Sequence, residues 1–138
     1  MTKEQAQRQL EAFFLSIGEK ASIFGEKNFV KARIGEAVLG FEFDVENDLL
    51  SAKALVYRFR REPKEKVLDR IESAGQRSNT GDGKIVFDPQ ELTLYLQRDF
   101  DDELSDKIFF DDINRLAQAS LKWSSEILQD VAERASAS

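Results

Sequence analysis

The chain has 138 residues, 41% hydrophobic and 33% charged, with 11 Phe, 1 Trp and neither Cys nor His. A domain of this length buries roughly two thirds of the surface its unfolded chain exposes, so its core needs no disulfide or metal staple. Thiolate and imidazole ligation of metals or haem, Cys nucleophiles and His-based acid–base catalysis are excluded, and the net charge of −6 opposes attraction to nucleic acid or an anionic membrane.

Ala6, Leu10, Phe13, Phe14, Ile17 and Ala21 recur at spacings of three and four, which predicts a first helix from about Thr2 to Ala21. Thr2 and Gln5 are spaced as a capping box, and Gly18 and Gly25 loosen the far end. The opening MTKEQAQRQL is polar, without the apolar run of a signal peptide, and no stretch approaches the ~18 consecutive apolar residues of a membrane span. A cytoplasmic location without membrane contact is expected.

The period then changes to two. Phe29 to Ile34, Ala37 to Asp44 and Leu50 to Arg60 are β-rich runs joined through Gly35-Glu36 and Glu46-Asn47-Asp48. In the second, Leu39, Phe41, Phe43 and Val45 share one face. In the third, alternation sends Leu55, Tyr57 and Phe59 one way and Ala52, Ala54 and Val56 the other, so both faces are apolar and a contact beyond the core is expected there. Pro63 followed by Val67, Leu68 and Ile71 marks a short second helix ending before Gly75, and Gln76 to Gly83 reads as a polar, mobile loop. Lys84 to Asp88 and Leu92 to Phe100 are two further strands.

The final segment carries a wide helical stripe of Phe109, Ile113, Leu116, Ser120, Trp123 and Ile127. Its start is either Ser105 or the Asp111-Asp112 pair, since each supplies an acceptor and negative charge at the helix's positive end. A helix from Asp112 to Arg134 spans about 33 Å at 1.5 Å per residue, enough to cross a sheet. The order α-β-β-β-α-β-β-α, built on hairpins, predicts one α+β domain over residues 1–138, an antiparallel sheet covered by the N- and C-terminal helices.

The motifs with chemical content do not complete. Gly81-Asp82-Gly83-Lys84 lacks the Gly and the Ser or Thr of a phosphate loop, with Ser78 and Ile85 in those places. Asp99 to Asp106 is rich in carboxylates, but Leu104 and Phe110 stand where a calcium loop needs Gly and Glu. No cofactor and no metal are expected. A carboxylate-based hydrolase or small-ligand sensor using the Asp99 to Asp112 region is the alternative to a binding protein. Charge is segregated: Lys53 to Arg70 holds seven basic and three acidic residues, whereas Asp82 to Asp112 holds ten acidic and three basic.

The element order, the segment Gly83-Lys-Ile-Val-Phe-Asp-Pro-Gln-Glu-Leu-Thr-Leu-Tyr-Leu and the helix from Asp112 with its late Trp resemble the type III secretion chaperones, and the layout is also similar to that of the YbjN-like bacterial proteins. The first resemblance implies a small, acidic, cytoplasmic, non-enzymatic homodimer. It implies that an extended segment of a client protein is held along apolar grooves and strand edges. Apolar residues on the strand face turned away from the main helices would form the pockets, for which Val30, Ala32, Ala54, Val56 and Tyr95 are the candidates. Val67, Leu68 and Ile71 are candidates for the contact with a second subunit, or they seal their own sheet.

Overall fold

The computed structural model describes residues 1–19 and 28–137. Its elements are α1 (Lys3–Ser16), β1 (Phe29–Ile34), β2 (Ala37–Asp44), β3 (Leu49–Arg58), α2 (Glu65–Arg77), β4 (Lys84–Asp88), β5 (Thr93–Phe100), α3 (Asp106–Lys122), a π-helical turn (Trp123–Ile127) and α4 (Leu128–Ala137). The expected α-β-β-β-α-β-β-α order is present, with the last helix divided by the π turn.

Both ends of α1 follow from side-chain chemistry. The Thr2 hydroxyl accepts from the Gln5 amide at 3.1 Å while the Thr2 amide donates to Gln5 Oε1 at 2.9 Å, closing the capping box. Gly18, at φ +76°, lets its own amide reach the Leu15 carbonyl and the Glu19 amide reach Phe14, a Schellman ending that stops α1 at Ser16. The expected extension to Ala21, and Gly25, fall outside the described residues.

The five strands form one antiparallel sheet in the order β1-β2-β3-β5-β4. Pairing of Leu39 with Ala54, Phe41 with Ala52, and Leu50 with both Phe43 and Phe100 puts these side chains on one face. There Phe13 and Phe14 of α1 and Phe109 of α3 meet them. Ring centroids lie 5.6 Å apart for Phe13–Phe41, 5.8 Å for Phe13–Phe109 and 5.1 Å for Phe100–Phe109. Each such pair adds about 0.5–1.5 kcal/mol beyond its area burial. Gln9, buried on α1, accepts from the Leu104 amide at 2.8 Å and so fixes the helix to the β5–α3 connection.

One irregularity in β3 overturns the expected facing of its last residues. The ladder with β5 shifts register between Leu55 and Tyr57, a β-bulge at Val56. The extra residue turns the strand so that Val56 (4% exposed), Tyr57 and Phe59 all lie on the helix side, while Leu55 stays on the bare side. Tyr57 and Phe59 therefore do not share a face with Leu55.

At the C-terminal end, Ser105 is the cap of α3, its hydroxyl accepting from the Ile108 amide at 3.3 Å. Asp112 instead lies inside the helix, buried, 3.0 Å from Arg98 Nη1 and paired with Arg115, which also reaches Asp82 at 3.5 Å. Gly75 does not end α2. It lies within that helix, where a Cβ would come 2.6 Å from Ile85 Cγ2, so its missing side chain lets α2 sit close on β4.

The segment after α2, expected to be a mobile loop, is bonded throughout. Trp123, fully buried at the start of the π turn, donates its Nε1 hydrogen to the Asn79 carbonyl at 3.0 Å. Asn79 Oδ1 accepts from the Gly81 amide at 2.9 Å, and Thr80 Oγ1 donates to the Gly83 carbonyl at 2.7 Å. Gly81 adopts φ +64° directly against α3, where a Cβ would meet Leu116 Cα at 2.7 Å. A Gly81→Ala substitution adds both left-handed strain and a backbone clash. It should lower unfolding free energy by about 1–3 kcal/mol, read as a lower urea midpoint at unchanged slope.

Candidate binding surface

With α1 and α3 packed on one face of the sheet, no helix among the described residues covers the other. That face carries a shallow groove of about 460 Å³ running from the edge strand β1 across β2, β3 and β5. Phe29, Val38, Leu55 and Tyr95 give it apolar surface, and Lys31, Glu42, Lys53 and Arg58 give it charge of both signs. Strand alternation aims Lys31, Val38, Glu42, Lys53, Leu55 and Tyr95 outward, because each sits between two buried neighbours that face the helices.

Two local contacts shape the groove floor. The Phe29 ring lies over Gly40 on the neighbouring strand, so closely that a Cβ there would come 2.8 Å from Phe29 Cζ. Glycine thus makes room for a half-exposed aromatic on an edge strand. Lys53 reaches Glu42 at 3.8 Å and stands 5.3 Å from the Tyr95 ring centre, a cation–π contact worth about 0.5–1 kcal/mol at an exposed site.

Of the five residues expected to form client pockets, only Tyr95 is on this face. Val30, Ala32, Ala54 and Val56 are at most 8% exposed and point toward the helices, so their expected position on the open face is corrected. The reason is the sheet's sidedness: Val30 and Ala32 pair with Phe41 and Leu39, whose side chains are in the core. The groove residues that sequence reasoning passed over are Phe29, Val38 and Lys53, whereas Leu55 lies on a face of β3 where a contact beyond the core was expected. Their signal was the alternate set in the same strands, masked because the buried set is equally apolar. Among the proposed dimer residues, Ile71 is buried in the chain's own core and Val67 and Leu68 are half-buried against it.

The acidic region does not gather into a catalytic arrangement. Asp112 faces two arginines, Asp99 accepts from Ser51 at 2.7 Å and from Gln97 at 2.8 Å, and Asp101 and Asp102 are exposed. No group of three or more carboxylates placed to hold a metal occurs among the described residues, and no helix there is long and apolar enough to cross a membrane.

No family model matches the sequence, and no curated protein matches it. Solved structures do match the fold. A chain of the ExsC-ExsE complex superposes with a TM-score of 0.73 at 16% identity, covering 91% of this chain and 96% of that one. A chain of the HopA1-SchA chaperone-effector complex gives 0.67 at 13%, covering 88% and 94%. A chain of the ExoT-SpcS complex from Pseudomonas aeruginosa gives 0.60 at 10%, covering 86% and 96%. The chain has a type III secretion chaperone-like fold.

One carboxylate near the acidic region carries a defined pH response. Glu103 takes two hydrogen bonds from Arg8, at 2.9 and 2.8 Å, which hold its carboxyl below the ordinary value of 4.5. A depressed folded pKa contributes stability that is present above that value and is lost as pH falls through the folded one. Thermal melts of wild type and Arg8→Ala from about pH 6 to about pH 2 should therefore differ at the upper end and converge at the lower.

Proposed function

We propose that the protein is a non-catalytic, single-domain binding module of the cytoplasm that holds an extended segment of a client protein on the open face of its sheet. The observation that carries this reading is the groove itself: apolar and charged side chains on a face that, among the described residues, no helix covers and that ends at β1, which has no strand partner there on its outer side. A client strand added at β1 gains main-chain hydrogen bonds, and side chains projecting over the sheet find Phe29, Val38, Leu55 and Tyr95. The fold match supports the same reading, since one matched chain belongs to a chaperone-effector complex.

Recognition by backbone pairing tolerates many client sequences, and the groove adds selectivity through alternate residues. Lys31, Lys53 and Arg58 are balanced by Glu42, Asp88 and Glu91 around the groove, which suits an extended client segment of mixed charge with apolar side chains between its charged ones. The proposal includes a homodimer joined through the half-buried Val67 and Leu68 of α2, with neither nucleic acid nor membrane as partner.

Photo-crosslinking from positions 31 and 38 in the native cytoplasm, with mass spectrometry of the adducts, tests the client surface. A discrete protein should be captured, and its yield should fall about tenfold in a Leu55→Asp, Tyr95→Ala variant, the scale expected for removing central apolar anchors. Capture that the double variant leaves unchanged contradicts the reading. Light scattering after size exclusion should give twice the 15.8 kDa chain mass, and a monomer at tens of micromolar refutes the dimer.

A further inference from the structure

The edge of the open face differs in charge from the groove it borders. Around the groove cations and acids balance, but β1 carries Lys31 and Arg33 and no acid. Both cations are exposed and alternate with the buried Val30 and Ala32, so they stand with Phe29 on the open face.

Hydrogen bonding follows the same alternation. In the β1–β2 hairpin Ile34 pairs with Ala37, Ala32 with Leu39 and Val30 with Phe41, and the Phe43 amide donates to the Asn28 carbonyl at 3.0 Å. An antiparallel ladder bonds every second pair, so Asn28, Val30, Ala32 and Ile34 turn their backbone groups to β2. Phe29, Lys31 and Arg33 turn theirs outward, where no strand among the described residues takes them. The main-chain groups open to a new strand therefore belong to the residues whose side chains stand on the open face.

The two cations are also unanswered within the sheet. Gly40 lies directly opposite Lys31 and Val38 opposite Arg33, and neither can pair with a charge. Glu42, diagonal to Lys31 on β2, lies 3.8 Å from Lys53 instead, and no ion pair among the described residues engages Lys31 or Arg33. Cations on an edge strand discourage two copies of that edge from joining. Here, pairing about Lys31 or about Ala32 would set Lys31 against Lys31 or against Arg33. The same charges favour a strand of opposite sign, because opposite charges facing each other across strands stabilise where like charges repel.

We infer, resting on the client-binding reading above, that the segment taken up at β1 is acidic on one face: an antiparallel strand with Asp or Glu opposite Lys31 and Arg33, an apolar residue opposite Phe29, and small apolar residues between them beside Val30 and Ala32. Lys31 and Arg33 act as a charge filter on the edge, refusing a second copy of this strand and admitting an acidic one.

The test uses the full-length protein and two fluorescein-labelled, end-capped peptides, one alternating Val and Glu and the other alternating Val and Lys. Anisotropy should show the Glu peptide binding about tenfold more tightly than the Lys peptide, with the preference shrinking as salt rises. Lys31→Glu with Arg33→Glu, both at exposed positions, should reverse the preference. N-methylation of the Glu amides, which face β1 in this arrangement, should abolish binding, and N-methylation of the Val amides should leave it intact. Equal affinity for the two peptides, a preference for the Lys peptide, or a preference that the double variant does not move overturns the charge filter; strand addition at β1 still stands if the N-methylation pattern holds. Insensitivity to N-methylation, or no binding of either peptide, overturns the filter and strand addition at β1 together, and crosslinking from positions 31 and 38 then decides separately whether the rest of the face holds a client.

Discussion

The layer of phenylalanines between helices and sheet is the constraint on which the rest depends. Phe13 and Phe14 from α1, Phe41 from β2, Phe100 from β5 and Phe109 from α3 interlock within one aromatic cluster. Four elements distant in sequence are tied together by side chains that all leave the sheet on the same side. Once that side is filled, no helix among the described residues remains to cover the opposite face, and its residues must be tolerable in water. Lys53 lying across Tyr95 and Phe29 across Gly40 meet that requirement, since each screens apolar surface with a neighbour on the adjacent strand.

The helix side has its own division. Near α1 it is closed by aromatic packing, whereas near α2 and α4 it opens into a cleft of about 350 Å³ lined by Tyr57, Phe59, Val67, Ile71, Leu128 and Val131. The boundary is set by Trp123, whose indole anchors the Asn79 loop, and by the buried Asp112 between Arg98 and Arg115. Either arginine alone still leaves the buried Asp112 carboxylate one cationic partner, so its charge is doubly secured.

Much of the fold was legible in the sequence because local chemistry and hydrophobic period agreed. Thr2 with Gln5 marked a helix start, Ser105 was one of two named caps, and the alternation in Leu39, Phe41 and Phe43 identified a half-buried strand. The candidate site was less legible, for physical reasons. An apolar residue on a two-sided strand does not reveal which side the helices will cover, so Val30, Ala32, Ala54 and Val56 were assigned to the face opposite to the one they occupy. The bulge at Val56 has no glycine or proline to announce it. Gly75 and Gly81 looked like helix and loop breakers, whereas each is required where another backbone or side chain approaches within 3 Å of the space a Cβ would take.

The strand order also governs when the open face comes into being. β1, β2 and β3 form a local meander, but β3 pairs with β5 only after the chain has passed through α2 and β4. Leu55 and Tyr95 are direct partners in that ladder, forty residues apart in sequence. Closing so long a loop is entropically slow, and contacts of this kind form late in folding. Until β5 has joined the sheet, Phe29, Val38 and Leu55 stand without Tyr95, the ring that Lys53 covers, so the open face acquires its final surface only with the addition of residues 93 to 100.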